Sequence, residues 1–164
     1  MRKLPLIVAG AGLALVVAAP AVIGDSDQQF TASLNGYLEV PSISTTARGS
    51  FRAEVVGSTI HYRLTFRDLS TPSLFSHIHF ARPDVNGGVS AFLCGGGGKP
   101  ACPTTGGTVT GTVAAADVIG PTDKGILAGE FAELLRAMRN GATYVNVHSE
   151  AWPPGEIRGN IRRD

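Results

Sequence analysis

The sequence predicts an all-β fold, an antiparallel sandwich or barrel, with one short helix. Apolar and polar residues alternate in short runs, and clusters of Gly, Pro, Asn and Ser separate these runs at spacings of about ten residues. The chain holds 21 glycines and 10 prolines among 164 residues, a share that is typical of proteins with many turns. This length fits one domain, at roughly 100–200 residues per domain.

The first residues predict export. Arg2 and Lys3 precede an uncharged, mostly apolar run over residues 4–24, and Ala19-Pro20-Ala21 offers a cleavage site after Ala21. We therefore interpret residues 1–24 as a signal peptide and residues 28–164 as an exported domain. The alternative is an uncleaved anchor, and only in that case is a membrane a partner.

The net charge argues against nucleic acid as a partner. The whole chain carries a formal charge of +1, which falls to about −1 once Arg2 and Lys3 are removed. Such a balance provides no broad basic surface.

Alternation over the exported part predicts eight strands. The predicted strands are Gln29–Leu34, Arg48–Val56, Thr59–Arg67, Ser76–Ala81, Val89–Leu93, Thr108–Ala114, Thr143–Ser149 and Glu156–Arg162. Gly57-Ser58 is short enough to form a tight hairpin turn between the second and third strands.

One segment has helical periodicity instead. Residues 130–140 place four apolar side chains on one stripe, with Glu130 and Glu133 in the first turn and Arg136 and Arg139 in the last. Gly141 follows as a helix-ending residue. We expect this helix to cover an end or edge of the sheet structure.

The two cysteines predict a disulfide. Cys94 and Cys102 lie close in sequence, and an oxidising compartment would join them. A redox pair or a zinc knuckle would need C-x-x-C spacing or more ligands.

The four histidines all fall on the polar faces of predicted strands. His77 and His79 share one face of a strand, opposite Ile78 and Phe80, and His148 lies opposite the valines of its own strand. His61 is likewise on the polar side of its strand. A His-x-His pair and a third histidine from a neighbouring strand would suit copper or zinc. The alternative is surface histidines that only hydrogen-bond to their neighbours.

The C-terminal region carries two further expectations. Glu156 and Arg158 share a face of the last strand and are expected to form a weak surface ion pair. Trp152 is expected either to contact a partner or to cap the end of the barrel.

An ordered series of motifs resembles the CHRD domain, named for chordin, an extracellular antagonist of bone morphogenetic proteins, and found also in exported bacterial proteins. The series consists of Ser76-His77-Ile78-His79-Phe80, residues 85–89 (VNGGV), 116–121 (ADVIGP), 141–148 (GATYVNVH) and 154–159 (PGEIRG). It spans about Phe30 to Arg162.

The resemblance implies an immunoglobulin-like β-sandwich or barrel with faint similarity to copper/zinc superoxide dismutases. That similarity maps copper-type ligands onto His77, His79 and His148, with His61 as a fourth. It supplies no second His/His/Asp cluster for zinc, so dismutase activity is not expected.

The sequence therefore predicts an exported, non-enzymatic binding or structural module of the single-domain bacterial type, which contacts a protein or cell-surface partner. The alternative is a copper- or zinc-binding protein that uses the His-x-His pair and His148.

Overall fold

The structure, a computed structural model, describes residues 28–164. The predicted signal peptide over residues 1–24 lies outside the described residues. Within residues 28–164, no helix is both long and apolar enough to cross a bilayer.

Nine strands and one α-helix make up the regular structure of residues 28–164, together with three short 3₁₀ turns. The strands are β1 (Gln29–Asn35), β2 (Arg48–Val56), β3 (Thr59–Arg67), β4 (Ser73–Phe80), β5 (Gly88–Cys94), β6 (Gly107–Val113), β7 (Thr143–Ser149), β8 (Ile157–Asn160) and β9 (Arg162–Arg163), and the helix is α1 (Phe131–Arg139). The predicted last strand is interrupted at Ile161, which is completely buried and bonds through its amide to Thr143.

The strands form one antiparallel sheet in the order β5-β4-β7-β8-β1-β2-β3-β6, and β9 pairs with β1. The two edge strands, β5 and β6, approach each other, so the sheet nearly closes into a barrel. Across this gap the hydroxyl of Tyr62 on β3 donates to the carbonyl of Leu93 on β5 at 2.6 Å. The predicted all-β antiparallel fold with one short helix is confirmed.

The core follows the alternation of the strands. In β2 and β3, Phe51 and Leu64 are buried while Arg52 and Arg63 point to solvent. β7 departs from this rule, because all seven of its residues are buried. Its valines pack in the core, and loops cover its other face.

The helix ends as the sequence predicts. The amide of Gly141 bonds to the carbonyl of Met138, and that of Ala142 bonds to Ala137, which is the Schellman pattern. Gly141 has a φ of 65°, a conformation that glycine adopts without strain. The helix buries Leu134 and Met138 and packs against β9.

Cys94 and Cys102 form the predicted disulfide, with Cα atoms 5.0 Å apart. The glycine-rich loop that it closes lies against Phe92. A Cβ at Gly96 would come within 2.5 Å of the Phe92 ring, so only glycine allows this approach.

Candidate metal centre

Three of the four histidines meet where β4 pairs with β7. In this register His77 lies opposite Asn146 and His79 lies opposite Tyr144. His148 is two residues beyond Asn146 on β7, so its side chain shares their face. The cluster of His77, His79 and His148 is called the histidine cluster below.

The ring nitrogens of the histidine cluster are close enough to share one ion. Nδ1 of His77 and Nε2 of His148 lie 3.1 Å apart. One nitrogen from each of the three residues lies within 4.8 Å of the others. Two nitrogens bound tetrahedrally at 2.0–2.1 Å from zinc are separated by about 3.3 Å, so the His77–His148 pair already has the required spacing.

Backbone carbonyls fix which nitrogen of two histidines carries the proton. Nδ1 of His148 donates to the carbonyl of Pro153 at 2.8 Å, and Nδ1 of His79 donates to that of Gly87 at 3.0 Å. Both rings therefore present an unprotonated Nε2. Metal-binding histidines are commonly oriented by this kind of outer hydrogen bond.

Nε2 of His79 is buried and has no hydrogen-bond partner within residues 28–164. Leaving a buried polar atom unpaired costs about 1–3 kcal/mol. An ion at the histidine cluster would satisfy this nitrogen, so the residues present fit copper or zinc.

The histidine cluster is held in its neutral form. Burial, followed by the neighbouring His148, lowers the pKa of His77 to about 3. Burial also lowers the pKa of His148 to about 4 and lowers that of His79. Neutral imidazole is the form that binds metal. Because Nε2 of His148 is the acceptor, Nδ1 of His77 donates to it, and this proton must move to Nε2 of His77 when Nδ1 binds the ion.

Two phenylalanines cover the histidine cluster. The ring of Phe92 meets His77 edge-on with centroids 4.4 Å apart, and Phe75 lies 4.6 Å from His148. The disulfide-closed loop packs on Phe92, as described above. A Cβ at Gly95 would also lie 2.8 Å from the Cα of Phe75, so the same loop holds both aromatic covers.

A second group of polar side chains lies beside the histidine cluster. Tyr144 stacks on His79 with nearly parallel rings 4.7 Å apart, and the guanidinium of Arg158 lies 3.7 Å from the centre of the Tyr144 ring. Nε of Arg158 is 3.4 Å from a carboxylate oxygen of Glu39, and both residues are buried. Burial raises the pKa of Glu39 to about 7, although the charge of Arg158 opposes this.

The expected surface ion pair between Glu156 and Arg158 is wrong. Glu156 is fully buried and accepts hydrogen bonds from Thr45, Ser149 and the amide of Ser70. Arg158 pairs with Glu39 instead. The reason is that a loop covers this face of β8, which alternation within the strand cannot show.

His61 does not join the histidine cluster. It lies on β3, exposed, opposite Glu54 and Thr112. Among residues 28–164, the histidine cluster is the group of three or more potential ligands that could share an ion.

Trp152 is 39% exposed and lines a cavity of about 370 Å³ with Pro41, Ile43 and Pro154. The cavity also borders Glu39.

The sequence analysis gave no role to Tyr144 and Asn146, although alternation along β7 puts both on the same face as His148. This alternation was the signal in the sequence that could have pointed to them. Glu39 lies in the segment between β1 and β2, where no periodicity marks it, and only the folded chain brings it to Arg158.

No curated protein and no solved structure matches the chain significantly. The sequence profile of the CHRD domain matches residues 30–161. This match covers nearly all of the described chain, including both strands that carry the histidine cluster. The chain therefore belongs to the CHRD domain family.

Proposed function

We propose that this protein is an exported, non-enzymatic binding module whose histidine cluster holds one copper or zinc ion. The single observation that carries the proposal is the convergence of three neutral, buried imidazoles, one of which has an unpaired nitrogen. Imidazole is a preferred ligand for both metals.

The surroundings favour binding over turnover. His77, His79 and His148 are 5–7% exposed, and Phe75 and Phe92 lie over them. A substrate would have to displace these rings to reach the ion. Buffering or delivery of metal requires only binding and release.

Export rests on two supports. The Cys94–Cys102 disulfide is typical of oxidising compartments, and residues 1–24 have the composition of a signal peptide. N-terminal sequencing of the exported protein tests this part: a start between Val22 and Asp25 supports cleavage, and a start at Met1 contradicts it.

A second candidate is contact with a protein or cell-surface partner through Trp152. The exposed indole beside an apolar cavity supports it, because tryptophan is enriched at binding hot spots. None of the three histidines lines this cavity, although it borders Glu39, so a partner there need not displace the ion.

The main test is metal content. Protein purified from its native compartment should hold about one copper or zinc ion per chain, and a His77→Ala/His79→Ala variant should hold none. His61→Ala is the matched control, since this exposed histidine lies outside the cluster and its loss should change nothing. Equal metal content in wild type and the double variant would refute the proposal.

A further inference from the structure

Asn146 occupies the centre of the row of side chains that crosses β4, β7 and β8. Its cross-strand partners are His77 on one side and Arg158 on the other. The side chain is 1% exposed. It therefore lies between the histidine cluster and the Glu39–Arg158 pair.

The nitrogen of the Asn146 amide lies on the side of Glu39. Nδ2 of Asn146 and Oε1 of Glu39 both border Gly155, where an added Cβ would be 2.8 Å from the first and 2.6 Å from the second. Oε1 of Glu39 has no hydrogen-bond partner within residues 28–164, and an amide nitrogen is a donor, so Nδ2 is the Asn146 atom that suits this side.

The amide oxygen consequently faces away from Glu39, towards the histidines. Asn146 lies opposite His77 in the register of β4 and β7, so this oxygen lies beside the histidine cluster. Yet Oδ1 of Asn146 and Nε2 of His79 are both buried and both lack a hydrogen-bond partner. In the metal-free protein each is an acceptor, so neither can satisfy the other.

A bound cation would interact favourably with both of these acceptor atoms. We propose that Asn146 supplies the fourth ligand, through Oδ1, to an ion held by His77, His79 and His148. The resulting set of three imidazoles and one amide oxygen suits a divalent ion in four-coordinate geometry. The site therefore selects Zn²⁺ or Cu²⁺ over Cu⁺, since Cu⁺ gains little from a hard carbonyl oxygen.

This inference rests on the proposed metal-binding function and extends it to the identity and charge of the ion. The amide nitrogen lies on the side of Glu39, so the oxygen is the Asn146 atom that is presented to the ion.

The test compares the affinities of Asn146 variants for Zn²⁺ and Cu⁺, measured by competition with chelators. Asn146→Ala should bind Zn²⁺ about 10–100-fold more weakly than wild type and should bind Cu⁺ within about threefold of it. Asn146→Asp, which keeps an oxygen at this position, should bind Zn²⁺ at least as tightly as wild type. Asn160→Ala is the matched control, because Asn160 also has a buried, unpaired Oδ1 but lies opposite Tyr144.

A second readout does not depend on affinity. In wild-type protein, addition of Zn²⁺ should shift the carbon resonance of the Asn146 side-chain carbonyl, and that of Asn160 should stay in place. Unchanged Zn²⁺ affinity in Asn146→Ala, or an unshifted carbonyl in the zinc-loaded wild type, overturns the inference while the histidine site stands. Failure of wild type to bind either metal overturns the proposed function itself.

Discussion

Nδ1 of His77 and Nε2 of His148 lie 3.1 Å apart, although 71 positions separate the two residues in the chain. The pairing of β4 with β7 produces this approach, and the carbonyl of Pro153 holds the His148 ring in place. The two nitrogens are thus positioned before any ion arrives. Such preorganisation reduces the conformational entropy that binding must overcome.

The metal-free protein should lose stability as the pH falls below about 6.5. The unfolded chain takes up protons on its histidines near that pH, whereas the folded chain does not until the pH reaches about 4 for His148 and about 3 for His77. Between these values each histidine removes up to about 1.4 kcal/mol of stability per pH unit. Urea unfolding from pH 7 to pH 5 measures the slope. A His77→Gln/His148→Gln variant should flatten it, and a flat wild-type profile would contradict the assignment.

The titration of Glu39 should make the folded protein less stable as the pH rises, which is opposite to the effect of the histidines. Burial raises the pKa of its carboxyl to about 7 in the folded protein, against an ordinary value of 4.5. The folded state then binds the extra proton, so this contribution to stability is complete below pH 4.5 and is lost as the pH rises through 7. Glu39→Gln removes this term, and its stability between pH 5 and pH 6.5 should rise more steeply with pH than that of wild type. Identical slopes in the two proteins would show that Glu39 titrates normally.

Replacing only one residue of the Glu39–Arg158 pair should lower the stability of the folded protein. Arg158→Met removes the cation that lowers the pKa of Glu39, so above pH 7 the variant must either bury an unpaired carboxylate or protonate it, at a cost of up to about 3–5 kcal/mol. Glu39→Gln added to Arg158→Met should recover a large part of this loss, because the remaining amide carries no charge. Denaturant unfolding of the single and double variants measures the difference. Arg63→Met is the control: this exposed arginine on β3 should change stability by less than about 0.5 kcal/mol.

Alternation of residue types was sufficient to predict the strands. β2, β3 and β7 have the predicted bounds, because in each of them apolar residues face the core at every second position. The apolar stripe over residues 130–140 likewise predicted the helix, and Gly141 predicted where it ends. The break at Ile161 was missed, since an apolar residue there continues the alternation while its amide bonds away from β1 to Thr143.

The histidine cluster was predictable in part. Alternation within each strand placed His77, His79 and His148 on polar faces, but it placed His61 on a polar face too. Alternation does not show which strands are neighbours, so it could not exclude His61. The burial of that face was not predictable. It depends on Glu39, Gly87 and Pro153, which come from three loops whose paths only the closed barrel determines.

Gly87 should be required for the orientation of His79. Its carbonyl accepts from Nδ1 of His79 and its amide donates to the Tyr144 hydroxyl, while an added Cβ would lie 2.0 Å from the carbonyl oxygen of Phe80. Gly87→Ala must therefore displace the loop, with an expected loss of about 1–3 kcal/mol from the broken hydrogen bonds. Zinc affinity should fall as well, which separates a positioning effect from a purely structural one. Gly57→Ala is the control, because nothing lies near its added Cβ and its positive φ alone should cost about 1 kcal/mol without affecting zinc.

The disulfide should stabilise the cover of the histidine cluster as well as the fold. Closing a loop between Cys94 and Cys102, eight positions apart, contributes about 2–3 kcal/mol in the chain-entropy description. We expect a Cys94→Ala/Cys102→Ala variant to lose about this amount in denaturant unfolding. Because the loop packs on Phe92, which packs on His77, zinc should also dissociate faster from the variant than from wild type. The His77–His148 spacing is set by β4 and β7, so the association rate should change little. Equal dissociation rates would show that the loop contributes to stability alone and that Phe92 covers the histidine cluster without it.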